Sequence, residues 1–334
     1  MRKFFSALFV FVLLFGVTPM ASAESLDLEK NKTAYIDVAV ATLWTEPDIA
    51  RPIDQPSTTN PVDLWKWTRS MTLDDKLWLV GNLETQALLG NKVTIDEQKG
   101  DWVKVVVHGQ PTPRDPRGYP GWMPVKQLTY NKLFAAKENG PFVLVTKPTA
   151  WLYKNPSMKE TWMEISYNTR LPLMAVTPKA YAVLLPNGKL GWVKKSDGKV
   201  YKSVKDIPKP KGEDLVRTAK MFLNLPYLWA GTSGFGFDCS GFTFTVYQSH
   251  GITIPRDSGP QSTAGKPVDP KDLQPGDLLF YAYNNGKGKV HHVSMYIGNG
   301  MMIHSPNSAR TVEIIPVDTP GYKEEFAGAR RYLD

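Results

Sequence analysis

"GFDCSGF", residues 236–242, holds the one cysteine of a 334-residue chain. A lone cysteine cannot close an intramolecular disulfide, so it is either an inert buried side chain or a nucleophile. Its flanks point to a position. Gly231, Gly234 and Gly236 make a loop, and Asp238 is a good N-cap residue. Phe242 and Val246 continue an apolar helical face, and Gly251 suits its end. Cys239 therefore falls in the first turn of a helix. The free N–H groups and partial positive charge there stabilise a thiolate and can receive an oxyanion. A nearby imidazole would complete a cysteine–histidine pair.

Only five histidines exist, so the search for that imidazole is short. His108 lies by a proline-rich turn and His250 beside the helix-ending glycine. The other three cluster in "KVHHVSMYIGNGMMIHS", residues 289–305, which reads as a β-hairpin turning at Gly298-Asn299-Gly300. Strand alternation puts His291 with Val293, Met295 and Ile297, and His292 with Ser294 and Tyr296. A three-residue loop places His304 on the His292 face; a two-residue loop places it with His291. Periodicity leaves both open.

Working outward, Leu215, Ala219 and Phe222 recur at helical spacing before Pro226, upstream of the glycine loop. "SVKDIPKPKGED" (203–214) has proline and charge without an apolar pattern and reads as a linker. Before it lies an internal repeat. Ala41-Thr42-Leu43-Trp44-Thr45-Glu46-Pro47 matches Ala150-Trp151-Leu152-Tyr153-Lys154-Asn155-Pro156 as A-x-L-[WY]-x-x-P. Each copy runs through short alternating strands to a glycine-tryptophan pair, Gly121-Trp122 and Gly191-Trp192. Two small β-barrels are the economical reading, with most of the ten tryptophans expected in their cores. The first copy carries a long tryptophan-rich insertion, either a lid or an interface, in which Thr72 and Asp75 resemble a helix capping box.

The N-terminus has a basic start at Arg2 and Lys3, an apolar run from Phe4 to Val17 and a small-residue site at Ala21-Ser22-Ala23. This is the pattern of a secretory signal peptide over residues 1–23, too short in its apolar part to span a bilayer. An exported protein of formal net charge +8, two of those charges lying in the signal, would be drawn to anionic polymers such as a bacterial wall. Its lysines and arginines are scattered and form no aromatic-interleaved stripe, which argues against nucleic acid as a partner. No C-x-x-C or H-E-x-x-H spacing is present, so no metal or other cofactor is expected.

The blocks "LPYLWAGTSGFGFDCSGF", "IPRDSGPQ", "LQPGDLLFY" and "HHVSMYIGNGMMIHS" resemble, in this order, those of the NlpC/P60 cysteine peptidases. The modules before them resemble bacterial SH3 domains. The whole is similar to Bacillus-type γ-D-glutamyl-L-diamino-acid endopeptidases. The resemblance implies an α+β chain: a papain-like catalytic domain at 214–334, a linker at 203–213, and two SH3-like barrels at 24–135 and 136–202. It makes Cys239 the nucleophile, His292 the base and His304 the group that orients it. It implies substrate contacts at Asp238, Ser240 and Ser258, to which the residues themselves add Asp257 and Trp229 as a wall; the resemblance to two-barrel relatives, whose first barrel borders the site, adds Glu84 and Tyr119. Glu84 is expected in the insertion. Ala230 stands where the family often has glycine, Ser294 where it has glycine or alanine, and Ser305 where alanine is common.

The implied substrate is a cell-wall peptide such as L-Ala-γ-D-Glu-L-Lys or its diaminopimelate equivalent, cut after D-glutamate by a secreted or wall-associated enzyme. The rivals are a D,L-endopeptidase or amidase acting on intact peptidoglycan, and a wall-binding protein with an inactive third domain.

Overall fold

The computed structural model describes residues 26–333 apart from Asn31; the expected export signal lies outside them. Two seven-stranded antiparallel sheets come first, and their strand orders correspond one for one. The repeat explains why. In the first sheet Val40–Trp44 pairs with Tyr119–Pro124, setting Trp44 opposite Trp122. In the second Thr149–Tyr153 pairs with Leu190–Lys194, setting Tyr153 opposite Trp192. The glycine before each tryptophan is needed because the motif leucine lies against it. A Cβ on Gly121 would meet the Leu43 side chain at 2.8 Å, and one on Gly191 would meet Leu152 at 3.1 Å. Four tryptophans are buried, at 44, 67, 102 and 122; the rest are partly or well exposed, several at seams between domains, which corrects the expectation that most are core.

The insertion folds into helices Leu64–Ser70 and Leu73–Trp78. Thr72 and Asp75 do form a capping box: the Asp75 amide donates to Thr72 Oγ1 at 3.2 Å and the Thr72 amide to Asp75 Oδ2 at 3.0 Å. Its apolar face, with Leu64, Trp67, Met71 and Leu79, packs with Trp44 of the first barrel and Leu228, Ala230 and Phe235 of the last domain. The insertion is an interface. Helix Lys132–Lys137 bridges the two barrels and buries Phe134 in the second core. The proline-rich stretch ends as helix Gly212–Lys220 begins, inside the span expected as linker.

The last domain has a six-stranded antiparallel sheet in the order Lys266–Val268, Phe326–Arg331, Leu278–Ala282, Val290–Gly298, Met301–His304, Glu313–Pro316. Helix Cys239–Ser249 packs against strand Val290–Gly298. That helix lies close on the glycine loop, where a Cβ on Gly241 would stand 2.0 Å from the Gly231 carbonyl oxygen. Phe237, Phe242 and Val246 bury into one cluster with Phe280, Val293 and Met295, which fixes the helix on the sheet. Burial of this cluster, worth roughly 25 cal/mol per Å2 of apolar surface removed from water, helps hold the helix on the sheet.

Candidate active site

Asp238 caps the cysteine helix, its carboxylate accepting from the Gly241 amide at 2.6 Å. Cys239 is thereby held in the first turn. Its sulfur is approached by the backbone N–H groups of Val293 and Ser240. Val293 follows His292, so the thiol meets the histidine strand at the expected base.

Which histidine His304 joins is settled by a bulge. The hairpin turns tightly through Asn299 and Gly300, both with positive φ, between strands ending at Gly298 and starting at Met301. A regular two-residue turn would have put His304 with His291. The register instead shifts between Tyr296 and Gly298, so that Met295 lies opposite Ile303 and Ser294 opposite His304. His292 and His304 then share a face, with His292 Nε2 2.8 Å from His304 Nδ1. His291 points elsewhere: it stacks on Tyr283 at 4.2 Å and pairs with Glu325 at 3.0 Å. His108 and His250 bond Thr94 and Thr218 and do not line the cleft.

The electrostatics overturn one expectation. Burial, with the Asp238 carboxylate beside it, pushes the Cys239 thiol up to about 12; the two amides and the Arg256 charge pull the other way without winning. Burial, with His304 and His291 nearby, drives His292 well below its ordinary range. His304 is pushed down to about 3, again chiefly by burial. The helix start was expected to favour a thiolate, but desolvation outweighs it. Both directions favour the uncharged form, a neutral thiol beside a neutral imidazole.

A cleft of about 1130 Å3 opens over Cys239 and His292, and every expected contact lines it: Glu84, Tyr119, Trp229, Asp238, Ser240, Asp257 and Ser258. Their freedom differs. Arg256 is 1% exposed and spans the domain seam, bonding Asp238 at 2.7 and 3.2 Å, Ser240 Oγ at 3.0 Å and Thr85 Oγ1 of the first barrel at 3.1 Å. Asp238 and Ser240 are therefore partnered within the protein. These bonds hold the helix start, and both residues also line the cleft, where their remaining acceptor capacity faces it.

Glu84 also differs from expectation. It lies on strand Leu83–Leu88, not in the helical insertion, because "LETQAL" pairs with Val40–Trp44 as its counterpart does in the second barrel. Its carboxylate takes both terminal nitrogens of Arg114. Tyr119 donates to Asp257 at 3.0 Å, and burial raises the Asp257 carboxyl above its ordinary value. Asp257 stands at the N-cap of helix Ser258–Thr263, but its side chain makes no capping hydrogen bond. Trp229 walls the cleft with its indole N–H on the Leu83 carbonyl at 3.1 Å.

The family-variable positions find reasons. Ala230 has φ +62°, a conformation that favours glycine. Ser294 bonds the Tyr281 hydroxyl at 3.0 Å, and Ser305 donates to the Phe237 carbonyl at 2.7 Å, tying the hairpin to the residue before Asp238. Sequence reasoning missed Tyr227 and Tyr322, which line the cleft beside the thiol, and Arg310 and Glu313 behind His304. No spacing marks them, since each reaches the site through a loop, a one-turn helix or an edge strand.

A thiol at a helix start, an imidazole base on the adjoining strand and a second imidazole behind that base define a cysteine peptidase. The chain belongs to the NlpC/P60 family. The family model "NlpC/P60 family" matches residues 224–331, and "YKFC SH3b2 domain" matches 145–201. A Bacillus cereus protein named gamma-D-glutamyl-L-lysine dipeptidyl-peptidase is 64% identical over all of both chains. A Bacillus subtilis protein of the same name is 42% identical over 88% of this chain and 96% of its own. The crystal structure of an NlpC/P60 family protein from Bacillus cereus superposes with a TM-score of 0.89 at 68% identity, covering 91% of this chain and 100% of its own.

Proposed function

We propose that this protein hydrolyses the bond between γ-D-glutamate and L-lysine in cell-wall peptides whose N-terminal L-alanine carries a free amine. The observation that carries the reading is the end of the cleft built by the first barrel, where Glu84, Arg114, Tyr119 and Asp257 stand together. Two carboxylates there suit an ammonium, and Arg114 suits a carboxylate. A muramyl group on the alanine would remove the ammonium and have to fit beside the same four residues. The shared name of the two relatives, a dipeptidyl-peptidase, agrees with release of an N-terminal dipeptide.

In this reading Cys239 Sγ attacks the γ-carbonyl of D-glutamate while His292 takes the thiol proton. His292 returns that proton to the departing lysine amine as the C–N bond breaks. Water, deprotonated by His292, then attacks the acyl-enzyme and releases L-Ala-γ-D-Glu. Amides at the helix start are the candidates to receive the oxyanion. Export through residues 1–23 is part of the proposal, and mass spectrometry of the mature N-terminus tests it.

The substrate test compares L-Ala-γ-D-Glu-L-Lys with its N-acetylated form, in wild type and Glu84→Gln. Losing an ion pair in a desolvated pocket costs on the order of 3–5 kcal/mol, so kcat/KM should fall by roughly a hundred- to a thousandfold or more on acetylation. Equal rates on both peptides would favour the rival that cuts intact wall.

A further inference from the structure

Behind the catalytic imidazoles a chain of contacts continues to the surface. Strand Glu313–Pro316 at the sheet edge pairs with Met301–His304 so that Glu313 lies directly opposite His304. Glu313 Oε1 is 3.2 Å from His304 Nε2, and Glu313 Oε2 is 2.7 Å from Arg310 Nη2. His304 Nδ1 meets His292 Nε2 at 2.8 Å. Tyr322 sets its ring edge-on to His304 at 5.0 Å and tilted to His292 at 5.6 Å.

Hydrogen-bond inventory dictates the protons along this chain. A carboxylate only accepts, so His304 must carry its proton on Nε2. A neutral imidazole has one N–H, so His304 Nδ1 is bare and accepts from His292 Nε2–H. His292 then has a bare Nδ1, the one nitrogen left to take a proton from Cys239. We propose that Glu313, oriented by Arg310, is a positioning residue that sets the tautomers of both histidines and so makes His292 a base. The inference rests on the peptidase reading of Cys239 and His292 and is independent of which peptide is cut.

The same inventory makes an unusual demand of glutamine at this position. The guanidinium of Arg310 accepts no hydrogen bond, so it draws the amide oxygen to itself. The amide NH2 then faces His304 Nε2 and donates to it, which requires that nitrogen to be unprotonated. His304 takes its proton on Nδ1, donates to His292 Nε2, and leaves His292 protonated on Nδ1 toward the thiol. An isostere thus inverts the chain. Alanine admits water, which donates or accepts, and leaves both tautomers accessible.

The test uses the full-length protein with 15N-labelled histidine and two readouts, long-range 1H–15N correlation spectra and steady-state kinetics. In wild type, His292 should appear as the Nε2–H tautomer. In Glu313→Gln it should appear as Nδ1–H, with kcat down on the order of a hundredfold and KM changed less than twofold. Glu313→Ala should lose less than Glu313→Gln, whereas a merely structural role would make truncation the worse change. Glu313→Gln with Arg310→Ala frees the amide to rotate and should recover tenfold or more of the kcat lost. An unchanged His292 tautomer in Glu313→Gln, an alanine variant slower than the glutamine variant, or no recovery in the double variant would each overturn the proposal.

Discussion

His292 Nε2 and His304 Nδ1 stand 2.8 Å apart across a hairpin whose turn alone would have put them on opposite faces. One bulged residue near Ile297 restores the pairing. Because side chains on a strand alternate, a slip of one position would put His304 on the His291 face and leave His292 without it. Whether His292 has an orienting partner thus depends on a local irregularity beside a two-residue turn.

That dependence sets the first expectation. Cys239→Ala and His292→Ala should each lower kcat by at least a thousandfold while circular dichroism and melting stay near wild type. His304→Ala should cost less, since an orienting group is not consumed in proton transfer. His291→Ala should keep turnover within a fewfold, because its partners are Tyr283 and Glu325. Inactive His291→Ala beside active His292→Ala would contradict the register.

The raised thiol makes a second, pH-dependent expectation. A group held up to about 12 is almost entirely neutral near pH 7 and gains thiolate as pH rises. Alkylation of the free enzyme by iodoacetamide should therefore be slow at pH 7 and climb about tenfold per pH unit, with no plateau between pH 6 and 9. A sigmoidal rise with a midpoint near 7 would mean that a thiolate–imidazolium pair is already formed at rest.

The third concerns Arg256, whose buried charge joins the first barrel to the cysteine helix. Arg256→Ala leaves the Asp238 carboxylate buried with its main cation gone and Thr85 without that partner. Breaking a buried pair this way costs about 3–5 kcal/mol. Urea unfolding should report a loss of that size, and kcat should fall as Asp238 loosens its hold on the helix start. A loss under 1 kcal/mol would show that water replaces the guanidinium at little cost.

What the sequence by itself determined was local. The repeat predicts two matching sheets because A-x-L-[WY] and G-W name residues that touch, Leu43 with Gly121 and Leu152 with Gly191. Asp238 as N-cap, the thiol in the first turn, the Thr72–Asp75 box and a histidine hairpin follow from spacing of a few residues. The order of motif blocks then carries the family and its triad.

Tertiary structure decided the rest, because burial and pairing are set by segments distant in the chain. Arg256 reaches Thr85 across 171 positions and bonds Asp238 and Ser240, a partner that no local spacing shows. Glu84 belongs to a strand because Val40–Trp44 pairs with it, not because of its neighbours in sequence. The thiol that a helix start should acidify is raised because the surrounding core strips its water, a cost no local pattern encodes. Glu313 reaches His304 only because an edge strand lays it there, in a pairing that exists once the sheet is built.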